Sequence, residues 1–170
     1  DMPAGSVVEL AGVQTVGTKI VSDEVTYLED SAAGLQLFLS RTLGVLPTLT
    51  QKRAVATGEI SASVAKRVIL ESLSDLEIFE SAPVAPRHIE ADAAEANLGR
   101  SVVISGKVES IETDAIFLGR LEGAIKSHFA GAKSIFRVDD QVLIPSVVDW
   151  NSASGKVELW ASSSDYQLLF

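Results

Sequence analysis

The segment from Arg137 to Trp160 constrains the fold more than any other, because its short apolar runs are separated by turn residues. Two apolar runs flank Pro145, and a turn-rich segment, 149–155, leads into a strand-like run that ends in Trp160. Proline lacks an N–H and therefore suits the edge or the end of a strand. This pattern is typical of the closing hairpin of a small β-barrel. The side chains predicted to point into that barrel are Val142, Ile144, Val147, Val157 and Leu159.

Strand signals also dominate the first half of the chain. Residues 6–10 and 18–28 are rich in β-branched side chains, which favour strands. After Gly34, leucines alternate with other residues at a period of two, so a β-hairpin is predicted over 24–42. A helix beginning at Ser31 is the alternative, which both the glycine and the alternation oppose.

Three segments carry helical patterns. Apolar residues in 61–73 fall on one face of a helix, although 67–70 could also form a strand. A short helix is predicted over 92–99, ending at a glycine. A helix over 114–130 is the alternative to two short strands there, and its interior glycines oppose it.

The predicted fold class is mainly β (α+β), with a small barrel preceded by a second β-rich module. The chain has 170 residues, enough for one large domain or two small ones. Two prolines and little periodicity mark 81–91 as the best boundary. The predicted organisation is a β-rich module with a hairpin and a short helix over 1–85, a linker over 86–96, and the barrel-like domain over 97–170.

The net charge of the chain restricts the classes of partner that it can bind. The formal net charge is −9, and the acidic residues are spread over both halves of the chain. The adjacent pairs Lys52–Arg53 and Lys66–Arg67 are isolated and form no basic patch. Because such a chain is repelled by phosphate backbones, the sequence predicts no direct contact with nucleic acid and favours a protein partner.

The composition also bears on compartment and chemistry. The chain contains no Cys, which excludes disulfides, thiol nucleophiles and thiolate metal sites. Its apolar runs are strand-sized and too short to cross a bilayer. The expected location is intracellular, in the cytoplasm or an organelle interior, and peripheral association with a membrane complex is compatible with it.

Candidate catalytic or metal-binding residues are sparse. His88 and His128 lack a second histidine at helical spacing and are interpreted as surface or rim residues. Asp139–Asp140 is interpreted as a solvated turn between two strands rather than a cation site. The Ser-Gly-Lys at 105–107 lacks the other residues of a phosphate-binding loop. No catalytic residue, cofactor or metal ligand is predicted, and the chain is not expected to be an enzyme.

The large aromatic residues near the end of the sequence allow two interpretations. Trp150, Trp160 and Phe170 could complete the packing of the barrel. They could also anchor a partner, because buried aromatic side chains contribute much of the binding energy at interfaces. They are the candidate partner-binding residues, with Phe170 the strongest because chain ends rarely pack fully.

The order of four segments in the second half resembles the PRC-barrel family. These are "LGRLEGAI" (118–125), "GAKSIFRV" (131–138), "VLIPSVV" (142–148) and "GKVEL" (155–159). The family includes the photosynthetic reaction-centre H subunit and the ribosome maturation factor RimM. The resemblance, which is densest over 117–159, implies a small β-barrel that acts through protein contacts.

The function implied by this resemblance is a non-catalytic accessory or assembly subunit that docks onto a larger complex through its barrel. A photosynthetic, membrane-associated complex is favoured. The alternative is a divergent RimM-like factor for ribosome biogenesis that binds a small-subunit protein. Residues 102–115 lack the paired aromatics that RimM carries before its barrel, which opposes that alternative. A third hypothesis is an enzyme of unrecognised type.

Overall fold

The computed structural model describes residues 3–14, 25–39, 52–61, 67–81, 85–119, 124–161 and 166–169. The chain divides into two compact units, Asp1–Ala85 and Pro86–Phe170. Each unit encloses a hydrophobic core of its own.

The first unit is a six-stranded sheet that closes on itself. Its strands are β1 (Val7–Gln14), β2 (Val25–Glu29), β3 (Gly34–Leu39), β4 (Lys52–Ile60), β5 (Arg67–Leu70) and β6 (Leu76–Ser81). The order is β1-β2-β3-β5-β4, β4 pairs again with β1, and β6 adds to the other edge of β4. The pair β3–β5 is parallel, whereas the other pairs in this sheet are antiparallel.

Two predictions for the first unit can be compared with these strands. The hairpin is confirmed, because β2 and β3 are antiparallel and Leu37 and Leu39 alternate into the core. The helix predicted over 61–73 is wrong, because 67–70 forms β5. Val68 and Leu70 are buried at a period of two, which is the periodicity of a strand. The apolar side chains of this run can therefore be buried by a strand as well as by a helix. Residues 18–24 and 62–66 lie outside the described part of the chain.

The second unit repeats the same architecture. Its strands are β7 (Arg87–Glu90), β8 (Ser101–Glu112), β9 (Ala115–Leu118), β10 (Ile125–His128), β11 (Gln141–Asn151), β12 (Lys156–Ala161) and β13 (Gln167–Leu169). The barrel order is β8-β9-β10-β12-β11, and β11 closes on β8. The pair β10–β12 is parallel. The short helix α1 (Ala132–Ile135) lies between β10 and β11.

Several local predictions for the second unit need correction. The segment 86–96, predicted as a linker, contains β7, which pairs in parallel with β8. The helix predicted over 92–99 is two separate 3-10 turns, followed by Gly99 with φ 73. Asp139–Asp140 forms a turn, but it connects α1 to β11 rather than two strands. The short strands β9 and β10 replace the alternative helix over 114–130.

The segment 137–160 lies where the barrel closes, as its pattern predicted. Val142, Ile144 and Leu159 belong to the core, but Val148 is in the core cluster in place of Val147. Val147 is buried opposite Trp160. Pro145 lies between the residues of β11 that pair with β13 and those that pair with β12, so it occupies a break in the ladder on that edge of the strand.

The mainly β fold class with a small closed barrel is confirmed. In both units five strands close in the order 1-2-3-5-4-1, with a parallel pair between the third and the fifth strand. This topology defines the OB-fold, a five-stranded Greek-key barrel. Within the described ranges, no helix has the length and the apolar character needed to cross a membrane.

Candidate functional site

The outer surface of the second barrel carries a group of side chains on its second, third and fifth strands. The register places Phe117 of β9 opposite Lys126 of β10, and His128 of β10 opposite Trp160 of β12. Residues directly opposite one another point to the same side of a sheet. The alternating residues face the interior and are fully buried: Ile116, Ser127 and Leu159. We call the outward group, Phe117, Lys126, His128, Glu158 and Trp160, the aromatic face.

Two rings of the aromatic face are stacked. The centroids of His128 and Trp160 are 3.9 Å apart, and their planes differ by 8°. The side chain of His128 keeps 26% of its surface exposed, and Trp160 is half-buried. The strand register places the two residues directly opposite each other, so the stack is part of the fold.

A second ring lies beside the stack with a cation on it. The ammonium of Lys126 is 5.7 Å from the centroid of the half-buried Phe117 ring. The same ammonium lies 2.8 Å from Oε2 of Glu112. The aromatic face therefore carries three rings, and its lysine is already paired with a carboxylate.

The carboxylate of Glu158 contacts His128 and fixes the position of its ring in the stack. Its Oε2 lies 2.6 Å from Nε2 of His128 and accepts a hydrogen bond of 2.9 Å from Nδ2 of Asn151. Its Oε1 accepts a hydrogen bond of 3.3 Å from Oγ of Ser154. Asn151 in turn shapes the β11–β12 turn, because its Oδ1 accepts from the backbone N–H of Ala153 and Ser154.

The environment of Glu158 shifts its pKa. Burial alone would raise the pKa of this carboxyl, since only 5% of the residue is exposed. The hydrogen bonds from His128, Asn151 and Ser154 and the charge of His128 outweigh the burial, so the pKa lies below its usual value. Glu158 therefore remains ionised at neutral pH and positions the imidazole of His128 against Trp160.

This shift predicts a stability difference that depends on pH. The unfolded chain takes up a proton on Glu158 near the ordinary value of 4.5, whereas the folded chain resists protonation to lower pH. The stabilisation is therefore present above that value and is lost as the pH falls through the folded pKa. We expect Glu158→Gln to lower the free energy of unfolding by about 1–3 kcal/mol at pH 7. When the pH is lowered, the free energy of unfolding of this variant should fall by less than that of the wild type.

Urea unfolding followed by tryptophan fluorescence at pH 7 and at acidic pH measures this effect, because both tryptophans lie in the second unit. Glu112→Gln is the matched control, since Glu112 is also paired on this surface but its side chain is 56% exposed. The control should change stability by less than about 1 kcal/mol. Parallel losses on acidification in the wild type and Glu158→Gln would contradict this assignment.

The predicted candidate residues are only partly brought together. Trp160 lies in the aromatic face. Trp150 lies opposite Val157 on the neighbouring strand, and both are on the core-facing side of the sheet. Phe170 lies outside the described residues. Their role in partner binding stays a prediction.

Sequence reasoning missed most of the aromatic face. His128 was interpreted as an isolated rim residue, and its partner Glu158 was not identified. The alternation of Phe117 and Lys126 with buried neighbours was a usable signal. His88 lies exposed on β7. Among the described residues, no three His, Cys, Asp or Glu side chains form a group that could hold a metal ion.

Comparisons with known proteins give matches of structure alone. No sequence-family model and no curated protein matches the chain. The tetrameric p202 HIN2 domain is 10% identical, with 100% of this chain and 99% of that chain covered and a TM-score of 0.43. A murine DNA-binding protein bound to double-stranded DNA is 12% identical, with 95% and 98% covered and a TM-score of 0.42. The Ifi202 HINa domain in complex with 20-bp double-stranded DNA is 11% identical, with 98% and 96% covered and a TM-score of 0.31.

These comparisons overturn three predictions. The similar structures are HIN domains and a DNA-binding protein, so the assignment of 117–159 to the PRC-barrel family is wrong. Docking onto a photosynthetic or ribosomal complex depended on that assignment and is wrong with it. The expected lack of nucleic-acid contact is contradicted as well, because two of these structures are bound to double-stranded DNA. At these identities the likeness concerns the fold alone.

Proposed function

We propose that this chain is a non-catalytic module that binds single-stranded nucleic acid through the aromatic face of its second barrel. The observation that carries the proposal is the His128–Trp160 stack beside the Phe117 ring, on the second, third and fifth strands of an OB-fold barrel. The OB-fold binds oligonucleotides around its second and third strands. The expected intracellular location stays a prediction.

Stacking supplies most of the binding energy in this proposal. Each base that stacks on an aromatic side chain contributes about 1–3 kcal/mol, and every base has a flat face to offer. Trp160 and Phe117 lie on strands β12 and β9, on either side of β10, so they can receive two bases of one strand. The interaction tolerates different sequences because no base edge has to be read.

The charge of the chain favours single strands over duplex. A duplex carries one phosphate charge per ~1.7 Å of its axis and keeps its base faces inside the stack. This chain has a net charge of −9, and the ammonium of Lys126 is already paired with Glu112. A ligand therefore has to present unstacked bases, since phosphate contacts alone cannot overcome the repulsion.

Replacing Trp160 tests the proposal directly. We expect Trp160→Ala to weaken binding of a labelled oligothymidine by roughly tenfold to hundredfold, because the stacking surface is lost. Fluorescence anisotropy at fixed low salt measures the affinity. Trp150→Ala is the matched control, since it removes an indole from the neighbouring strand on the other side of the sheet.

Thermal unfolding of both variants verifies that the barrels remain folded. Equal affinity of the wild type and Trp160→Ala for single strands would reject the aromatic face as the binding site. Tighter binding of a duplex than of a single strand would reject the stacking mechanism.

A neutral oligosaccharide is the second candidate ligand. OB-folds also bind oligosaccharides, and the carboxylates of Glu112 and Glu158 beside the rings favour a ligand without phosphate charge. A sugar ring can pack on Trp160 while one of its hydroxyls accepts a hydrogen bond from the second N–H of Nδ2 of the half-buried Asn151. Quenching of tryptophan fluorescence by a neutral oligosaccharide, with none by oligothymidine, would favour this alternative.

A further inference from the structure

Equivalent backbone hydrogen bonds in the two barrels identify which residues correspond to one another. In the first barrel the N–H of Gly5 donates to the carbonyl of Ile60, and the N–H of Ile60 donates to the carbonyl of Ser6. In the second barrel Gly99 and Val148 repeat the first of these bonds at 2.7 Å, and the N–H of Val148 donates to the carbonyl of Arg100. Ile60 and Val148 therefore occupy equivalent positions.

The strand registers extend this equivalence to the outer surface. Ile60 pairs with Val68, which pairs with Leu37, just as Val148 pairs with Leu159, which pairs with Ser127. The outward residues then correspond one to one: Tyr27 to Phe117, Gln36 to Lys126, Phe38 to His128, Arg67 to Glu158 and Ile69 to Trp160. The first barrel thus has a counterpart of the aromatic face.

The counterpart differs in charge. The guanidinium carbon of Arg67 lies 5.2 Å from the centroid of the Phe38 ring, and both residues are half-buried. In the first barrel the cation Arg67 therefore lies over Phe38, whereas in the second barrel the anion Glu158 lies beside His128. Tyr27 is buried, with 1% of its surface exposed, so the accessible part of this surface is Gln36, Phe38 and Arg67.

We infer that the first barrel holds a second single-strand-binding site at Phe38 and Arg67, in which the guanidinium contacts a phosphate. A guanidinium can contact an aromatic ring and a phosphate at the same time, because its planar N–H edge matches phosphate oxygens. Ile69 replaces Trp160 at this surface, so the second site depends more on charge and less on stacking than the aromatic face. The ligand class rests on the proposed function.

The test uses the full chain in the Trp160→Ala background, where the aromatic face is impaired. Binding of oligothymidine is measured as the slope of log K against log salt. Adding Arg67→Gln should reduce the magnitude of this slope by about 0.7, the value for one phosphate contact with a single strand. Adding Phe38→Ala instead should weaken binding roughly tenfold, through the lost stacking.

The matched control is Arg53→Gln. The guanidinium of Arg53 lies 5.7 Å from the centroid of Phe79, so it also lies over a ring but on other strands of the first barrel. It should leave both the affinity and the salt slope unchanged. Circular dichroism of each variant verifies the fold.

The outcomes separate this inference from the proposed function. If Trp160→Ala weakens binding and neither Arg67→Gln nor Phe38→Ala has a further effect, the second site is rejected while the aromatic face stands. The same conclusion follows if Arg53→Gln acts like Arg67→Gln. If Trp160→Ala has no effect but Arg67→Gln weakens binding and lowers the slope, the first barrel is the binding site and the aromatic face is rejected.

Discussion

Replacing Phe129 by Ala is expected to destabilise the second barrel by about 3–5 kcal/mol. Phe129 directly follows β10 and is 1% exposed. Its ring meets Phe136 edge-on at 4.9 Å and Tyr166 at 5.6 Å between centroids. The rings of Phe136 and Tyr166 are themselves 5.2 Å apart, so the three form one cluster.

The cluster also fixes the position of α1. The carbonyl of Phe129 accepts a hydrogen bond from the N–H of Ala132, the first residue of α1, and Ala132 is fully buried. Truncation at Phe129 therefore leaves a cavity and removes the support of the helix at the same time. The surrounding strands belong to a closed barrel and cannot collapse into that space, which places the cost at the upper end of the range.

Urea unfolding followed by tryptophan fluorescence measures this loss in the second unit alone. Phe117→Ala is the matched control, because it removes the same ring from a half-buried position on the outer surface. We expect the control to cost about 1 kcal/mol or less. A similar decrease in the free energy of unfolding for both variants would contradict the assignment of Phe129 to the core.

Gly58→Ala is expected to destabilise the first barrel by about 3 kcal/mol. A Cβ at this position would collide with the carbonyl oxygen of Ile69 and would lie 2.6 Å from Cγ1 of Val68. A backbone atom cannot rotate away, so β4 and β5 would have to separate where Ile60 pairs with Val68. Only glycine allows the two strands to approach so closely at this point.

Amide hydrogen exchange in β4 and β5 measures the local loss of stability. Gly106→Ala is a graded control in the second barrel, because its Cβ would lie 3.3 Å from Cβ of Leu118, so the neighbouring strands would have to shift by only a few tenths of an ångström. We expect the control to change exchange in β8 and β9 by about 1 kcal/mol or less. A loss at Gly58 as small as the one expected at Gly106 would show that β4 and β5 can separate at little cost.

The incorrect family assignment has a physical explanation. Short strands, a proline at a break in a ladder and a Gly-containing turn before β12 are what any small closed barrel requires. The pattern around Pro145 and Gly155 therefore reports a barrel without specifying which strands are neighbours. The helix predicted over 61–73 failed for a related reason, since a short apolar run satisfies both a helical face and a strand.

The sequence by itself determined the β-rich class, the hairpin of β2 and β3, and the core residues Val142, Ile144 and Leu159. These follow from alternation and turn chemistry, which act between neighbours in the chain. Only the tertiary structure decided that β10 lies parallel to β12, and hence that His128 stacks on Trp160 and contacts Glu158. Strand pairing between distant segments depends on how the whole barrel closes, and no local spacing encodes it.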